Sequence, residues 1–240
     1  MNPYIAAALA EMDKVNVSRL EHPGDAALDP ASCRFLAAFI RATASAKVLE
    51  FGSGFSSLMI AREIAAAEGS SLLSIDNSVR YSALARESFE NSGVQAKVEF
   101  RVAPLKPKFY GLRLLLSYSL PEGLLEALGP FDLALIDAPP HHGYASEAAF
   151  YDVFPAVAPG GFIVLGEANS EGSRRAEWNG WLDAYGDAAR PVLLEGIGNG
   201  LYVVEKFEDA PRGPLPAADS LVTSWKTLKS AGRLLLHGEP

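Results

Sequence analysis

Lys47–Ser57, KVLEFGSGFSS, reads as a strand, a tight turn and the first turn of a helix. An apolar run closes on an acid, Glu50, and then two glycines flank one small residue ahead of a serine pair. Glycine suits such a turn because it tolerates positive φ and lets a ligand approach the backbone, and serine suits the orphan N–H groups of a helix start. The stretch is a ligand-binding junction, and the rest of the chain can be placed around it.

Downstream, apolar runs of strand length alternate with helical patterns. The strands are expected at Lys47–Phe51, Ser71–Ile75, Val98–Val102, Leu133–Ile136 and Phe162–Leu165, with helices at about Ser57–Ala67, Val79–Asn91, Glu122–Leu128 and Ser146–Val157. This order predicts βαβ units, a parallel sheet with helices on both faces, and a ligand site outside the carboxyl ends of the strands. Pro191–Glu205 holds two strand-like runs around Gly196, Gly198, Asn199 and Gly200, which predicts a closing hairpin. Upstream, a short helix, a loop and a lead-in helix from Ala31 occupy residues 1–46; beyond the 47–207 domain, 208–240 is a Pro-rich linker ending in an amphipathic stretch, Leu221–Leu236. Between Ser173 and Tyr185, the aromatics Trp178, Trp181 and Tyr185 recur at helical spacing and are expected to pack on the sheet.

Bulk properties narrow the function. The 240 residues are 49% hydrophobic, enough for a sizeable core. With 21 basic and 29 acidic residues the net charge is −8, which disfavours a nucleic-acid surface. One cysteine, Cys33, cannot form an internal disulfide and reads as a buried helical residue. The N-terminus lacks a basic region ahead of its apolar residues, and the leucine-rich run Leu112–Leu120 is too short to span a bilayer. A cytoplasmic protein with no membrane association is expected.

GSGFSS matches two glycines of GxGxxG and carries Ser57 at the third. The ribose-type acid is more telling: Asp76 ends the second strand, 22 positions after Gly54. It can also serve as a cap for the helix from Val79. With VLEFGSG, Asp76, FDLALIDAPP and VAPGGFIVLGEA in this order, Val48–Glu205 resembles the class I S-adenosylmethionine-dependent methyltransferases. The resemblance implies a doubly wound Rossmann-like α/β fold with a seven-stranded sheet, order 3-2-1-4-5-7-6, strand 7 antiparallel.

It also implies residue roles. Glu50, Gly52, Ser53, Gly54 and Ser56 would surround the methionine part of S-adenosylmethionine, Asp76 would hold the ribose, and Ala103 would lie by the adenine. Glu50 can alternatively be a structural carboxylate. Asp137 would orient the cofactor or bind a divalent metal, with Glu167 and Asn169 as further oxygen ligands, although Ala168 splits that pair and Gly166 stands where a first carboxylate belongs. His141 or His142 would accept a proton from an attacking hydroxyl, with Tyr144 and Tyr110 shaping the acceptor pocket. DAPPH departs from the [DNS]PP[YFW] motif of amino-methyltransferases at Ala138 and His141, which disfavours methylation of bases. The expected activity is methyl transfer to a small molecule, at oxygen. Non-catalytic cofactor binding and an NAD-type oxidoreductase are the alternatives. A second copy of the chain is the assembly partner considered.

Overall fold

The computed structural model describes residues 1–17, 28–137, 145–166, 168, 181, 184–213 and 220–237. The chain opens on α1 (Pro3–Glu11), where Pro3 fills the first helical position and the Asn2 side chain accepts from the Tyr4 and Ile5 N–H groups. α2 (Pro30–Thr43) begins in the same way, with Asp29 accepting from the Ala31 and Ser32 N–H groups. Then come β1 (Lys47–Phe51), α3 (Phe55–Ile64), β2 (Ser71–Asp76), α4 (Val79–Ser92) and β3 (Val98–Val102). β4 (Leu105–Tyr110) and β5 (Arg113–Tyr118) follow, then α5 (Leu124–Leu128), β6 (Phe131–Ile136), α6 (Ala145–Val153) and β7 (Val157–Leu165). β8 (Ala189–Leu194), β9 (Leu201–Lys206) and α7 (Ser220–His237) complete the described elements.

The main sheet runs β3-β2-β1-β6-β7-β9-β8, with β9 antiparallel to both of its neighbours. In sheet order this is the expected 3-2-1-4-5-7-6 with an antiparallel seventh strand. Because successive side chains of a strand point to opposite faces, β1 and β6 feed two cores. Val48, Leu133 and Leu135 pack with α1, α2 and α3 on one face. Leu49, Phe51, Ala134 and Ile136 pack with α6 and the β4–β5 hairpin on the other. Cys33 is buried on α2, as expected. Of the aromatic run, Trp181 stacks on Phe150 at 4.4 Å and Tyr185 on Phe154 at 3.8 Å, so these two pack as read from their spacing. Trp178 lies outside the described residues.

Asp132 fastens the centre of the sheet, its carboxylate accepting from the Ala46 and Lys47 N–H groups at 2.9 and 2.8 Å. It thereby ties the entry of β1 to β6, the strand that carries Asp137 to the site. β4 and β5 are an addition to the expected pattern. They form a separate antiparallel pair whose turn is Gly111–Leu112, with Gly111 at φ 62°. β5 is buried along its whole length, which removes the apolar–polar alternation that marks a half-exposed strand. One face of the hairpin meets α6: the Asp152 carboxylate accepts from Tyr110 Oη, Ser117 Oγ and Lys108 Nζ, and Glu147 pairs with Arg113. α7 packs on β5 and β4.

Candidate functional site

The carboxyl ends of β1, β2 and β6 converge through backbone hydrogen bonds. Gly52 N–H donates to Ile75 O at 2.8 Å, Asp137 N–H to Phe51 O at 2.9 Å, and Ala103 N–H to Asp76 O at 2.8 Å. Gly52 has φ 101°, and a Cβ there would stand 2.4 Å from the Asp137 carbonyl oxygen. Both facts require glycine, since a side chain would be strained and would also wedge β1 from β6. Gly54 differs, because a Cβ at that position would meet nothing within 4 Å. The turn therefore has one glycine packed against protein and one facing open space where a ligand can approach.

Glu50 is enclosed completely. Its Oε1 accepts from Ser56 Oγ at 2.6 Å, and its Oε2 accepts from Ser74 Oγ at 2.6 Å and from Ser57 Oγ. A hydroxyl has one proton to give, so the network has a direction. Ser53 Oγ, 2.7 Å from Ser74 Oγ, donates to it, and Ser57 Oγ accepts from Gly54 N–H at 3.0 Å. Through these serines the carboxylate holds the glycine turn, α3 and β2 in one arrangement. Burial pushes its pKa up to about 7 despite the three hydroxyl donors.

Asp76 is 7% exposed, with Oδ2 accepting from Ser53 N–H at 2.7 Å and Oδ1 from Ser78 N–H at 2.6 Å. The side-chain cap of α4 is Ser78, which accepts from Tyr81 N–H, so Asp76 orients the residue that caps rather than capping the helix itself. Ala103, 2% exposed, follows β3 beside it. Asp137 faces Gly166, where a Cβ would stand 2.6 Å from Asp137 Oδ1. The absence of a side chain at 166 thus leaves room for this carboxylate.

Tyr118 was not legible as a site residue. It ends β5, packs on Phe51 with ring centroids 4.6 Å apart, and its hydroxyl is buried with no hydrogen-bond partner among the described residues. Burial, with the charges of Asp76 and Asp137 nearby, pushes its phenol well above the ordinary value, so it stays protonated and can donate. An unmet buried hydroxyl costs stability, and it fits a site completed by a polar ligand. Tyr110, expected to shape the acceptor pocket, donates to Asp152 at 2.6 Å.

Glu50, Gly52, Ser53, Gly54, Ser56, Asp76, Ala103 and Asp137 are thus brought together at one end of the sheet. His141, His142, Tyr144, Glu167 and Asn169 lie outside the described residues. Among the described residues no cluster of three or more His, Cys, Asp or Glu forms a metal site. The donors present fit S-adenosylmethionine in kind: backbone N–H groups at a helix start for a carboxylate, an aspartate for ribose hydroxyls, and an unfilled space at Gly54.

A search among curated proteins finds no match. Solved structures share the fold. Cofactor-bound Rv0187 from MTB is 22% identical with a TM-score of 0.55, covering 87% of this chain and 92% of that one. The O-methyltransferase from Bacillus cereus in complex with S-adenosylhomocysteine is 19% identical with a TM-score of 0.56, covering 86% and 91%. The O-methyltransferase TomG from Streptomyces achromogenes, involved in tomaymycin synthesis and in complex with S-adenosylmethionine, is 17% identical with a TM-score of 0.56, covering 87% and 91%. Residues 49–168, running from β1 through the glycine turn and Asp76 to the end of β7, match the family model described as a methyltransferase domain. With that match spanning half of the chain and the sheet order in place, the chain belongs to the methyltransferase-domain family, on the Rossmann-like class I S-adenosylmethionine-dependent fold.

Proposed function

We propose that the chain transfers a methyl group from S-adenosylmethionine to an oxygen atom of a small-molecule acceptor. The observation that carries this reading is the convergence of the fixed Asp76 carboxylate, the glycine turn and the unmet Tyr118 hydroxyl at the strand ends. The Bacillus cereus and Streptomyces achromogenes proteins are O-methyltransferases, which supports oxygen as the acceptor atom.

When bound, the cofactor supplies a methyl group already activated by its sulfonium, so alignment and exclusion of water are the protein's main tasks. The amino-acid carboxylate would lie at the positive N-terminal end of α3, which begins beyond Gly54, and Asp76 would accept from the ribose hydroxyls. Ala103 is small enough to leave the base its space. Glu50, closed in by serines, acts through the turn that it holds. Asp137, fixed at β1 and β6, orients the cofactor. Tyr118 donates its hydroxyl to the bound ligand, and His141 or His142 takes the acceptor's proton.

The test is transfer of labelled methyl from S-adenosylmethionine to a panel of phenols, catechols and carboxylic acids, with and without a chelator. Turnover of a hydroxylated acceptor is expected, reduced at least about tenfold in one of the His141→Ala and His142→Ala variants. Transfer only to amines or thiols contradicts the assignment of oxygen, and unchanged turnover in both variants removes histidine as the base. A separate expectation concerns Tyr118→Phe. It should weaken S-adenosylhomocysteine binding about three- to tenfold while leaving the unfolding midpoint level or higher, because it removes a buried group that finds no hydrogen-bond partner among the described residues. Calorimetry and urea unfolding of the same sample give both readings, and a lowered midpoint with unchanged binding contradicts the role.

A further inference from the structure

The acidic excess of the chain is not spread evenly. The β4–β5 hairpin and α7 together hold six of its 21 Lys and Arg and none of its 29 acids. Arg113 and Lys108 are paired with Glu147 and Asp152 of α6, while Lys106, Lys226, Lys229 and Arg233 are exposed. Directly opposed residues of an antiparallel pair share a face. Phe109 and Pro107 therefore lie on the same face as Leu114 and Leu116, opposite the face that meets α6. Leu114 and Leu116 are buried and α7 packs on their strand, so α7 covers the β5 part of this second face, while Pro107 and Phe109 of β4 stay exposed.

On α7, Thr223 and Thr227 turn inward and are buried. The opposite arc, spanning roughly 160° at 3.6 residues per turn, interleaves Val222, Trp225 and Leu228 with Lys226, Lys229 and Arg233. Trp225 is 71% exposed, Val222 56% and Leu228 53%. At the hairpin turn, Phe109 and Leu112 are 70% and 71% exposed. Large apolar side chains grouped on one exposed helical arc, as on α7, mark an interaction surface.

We propose that the outward face of α7, with the hairpin tip, docks on an anionic lipid surface. Tryptophan and leucine interleaved with lysine and arginine are what an interfacial helix presents, the apolar side chains entering the headgroup boundary and the cations meeting lipid phosphates. A second copy of the chain is the poorer occupant, because a two-fold contact would set this cationic face against itself. A nucleic acid offers nothing to Val222 and Leu228. No helix among the described residues is long and apolar enough to cross a membrane, which leaves docking at the surface as the form of the contact. The expectation of no membrane association rested on an N-terminus unlike a signal peptide and on a leucine-rich run too short to span, neither of which bears on a peripheral face.

The test is co-sedimentation of the full chain with vesicles of phosphatidylglycerol and phosphatidylcholine, against vesicles of phosphatidylcholine alone. Binding to the anionic vesicles at low salt is expected, about tenfold or more tighter than to neutral ones and weakened by added salt. Trp225→Ser and the double variant Lys229→Glu/Arg233→Glu should each lose at least about tenfold, with far-UV circular dichroism and S-adenosylhomocysteine binding retained. Failure of the intact chain to bind anionic vesicles overturns the proposal, as does equal binding by the folded variants. Retention on a heparin column without vesicle binding also overturns it, in favour of a polyanionic macromolecule.

Discussion

Asp76→Ala is expected to weaken S-adenosylhomocysteine binding by about a hundredfold or more. Hydrogen bonds to a charged acceptor contribute roughly 1.5–3 kcal/mol each, and two ribose hydroxyls would lose theirs together. Each 1.4 kcal/mol is about a factor of ten in affinity. The substitution also frees the Ser53 and Ser78 N–H groups that the carboxylate holds at 2.7 and 2.6 Å, so the turn and the start of α4 loosen with it. Asp76→Asn separates the two effects, since the amide oxygen can still accept from one N–H while the charge is gone. An intermediate loss is expected there. Calorimetry on all three proteins reads the series, and an alanine variant within about threefold of the intact chain contradicts the ribose role.

Glu50→Gln is expected to flatten the dependence of stability on pH. The Glu50 pKa is raised from 4.5 to about 7 by burial, so between these values the folded chain keeps a proton that the unfolded chain has released. The contribution of Glu50 is therefore fully present below about pH 4.5 and is lost as pH rises through about 7, amounting to about 3 kcal/mol over the window. Glu147, beside Arg113, is also raised to about 7 by burial, and the variant leaves its contribution in place. Urea unfolding at pH 5 and pH 8 should show the intact chain losing more stability on alkalinisation than Glu50→Gln. Equal losses contradict the assignment. The glutamine can accept from the serines and donate to Ser74 or Ser57, so it should fold, whereas Glu50→Ala would leave three buried hydroxyls without their acceptor.

These two carboxylates mark how far sequence reading reaches. The position of Asp76 was legible because it depends on local order: a strand, an acid at its end, a glycine turn one unit earlier. The partners of Glu50 were less accessible. Ser56 and Ser57 stand in the quoted stretch and were read as caps for helix N–H groups; Ser57 does accept from Gly54 N–H, but both serines also donate to Glu50. Ser74 is 24 positions away and reaches Glu50 only because the parallel register of β1 and β2 sets the two side by side. Pairing register follows from the whole sheet and cannot be taken from either strand alone.

The hairpin was missed for a related reason. RLLLSY is a strand buried on both faces, between α6 and α7, and LKPKFY is mostly exposed, so neither shows the period-two pattern of a half-buried strand. Tyr118 was lost with it. Its meaning depends on the end of β5 lying against Phe51, a contact between segments far apart in the chain. By contrast the β8–β9 pair, flagged by its glycine-rich turn, falls where the sequence placed it.

The central claim is that the turn beginning at Gly52 and the carboxylate of Asp76 form an S-adenosylmethionine site. Calorimetric titration of the intact chain with S-adenosylhomocysteine, alongside NAD, tests it most directly. The account predicts saturable one-to-one binding of S-adenosylhomocysteine and none of NAD at the same concentrations. No binding of S-adenosylhomocysteine, or tighter binding of NAD, would contradict it.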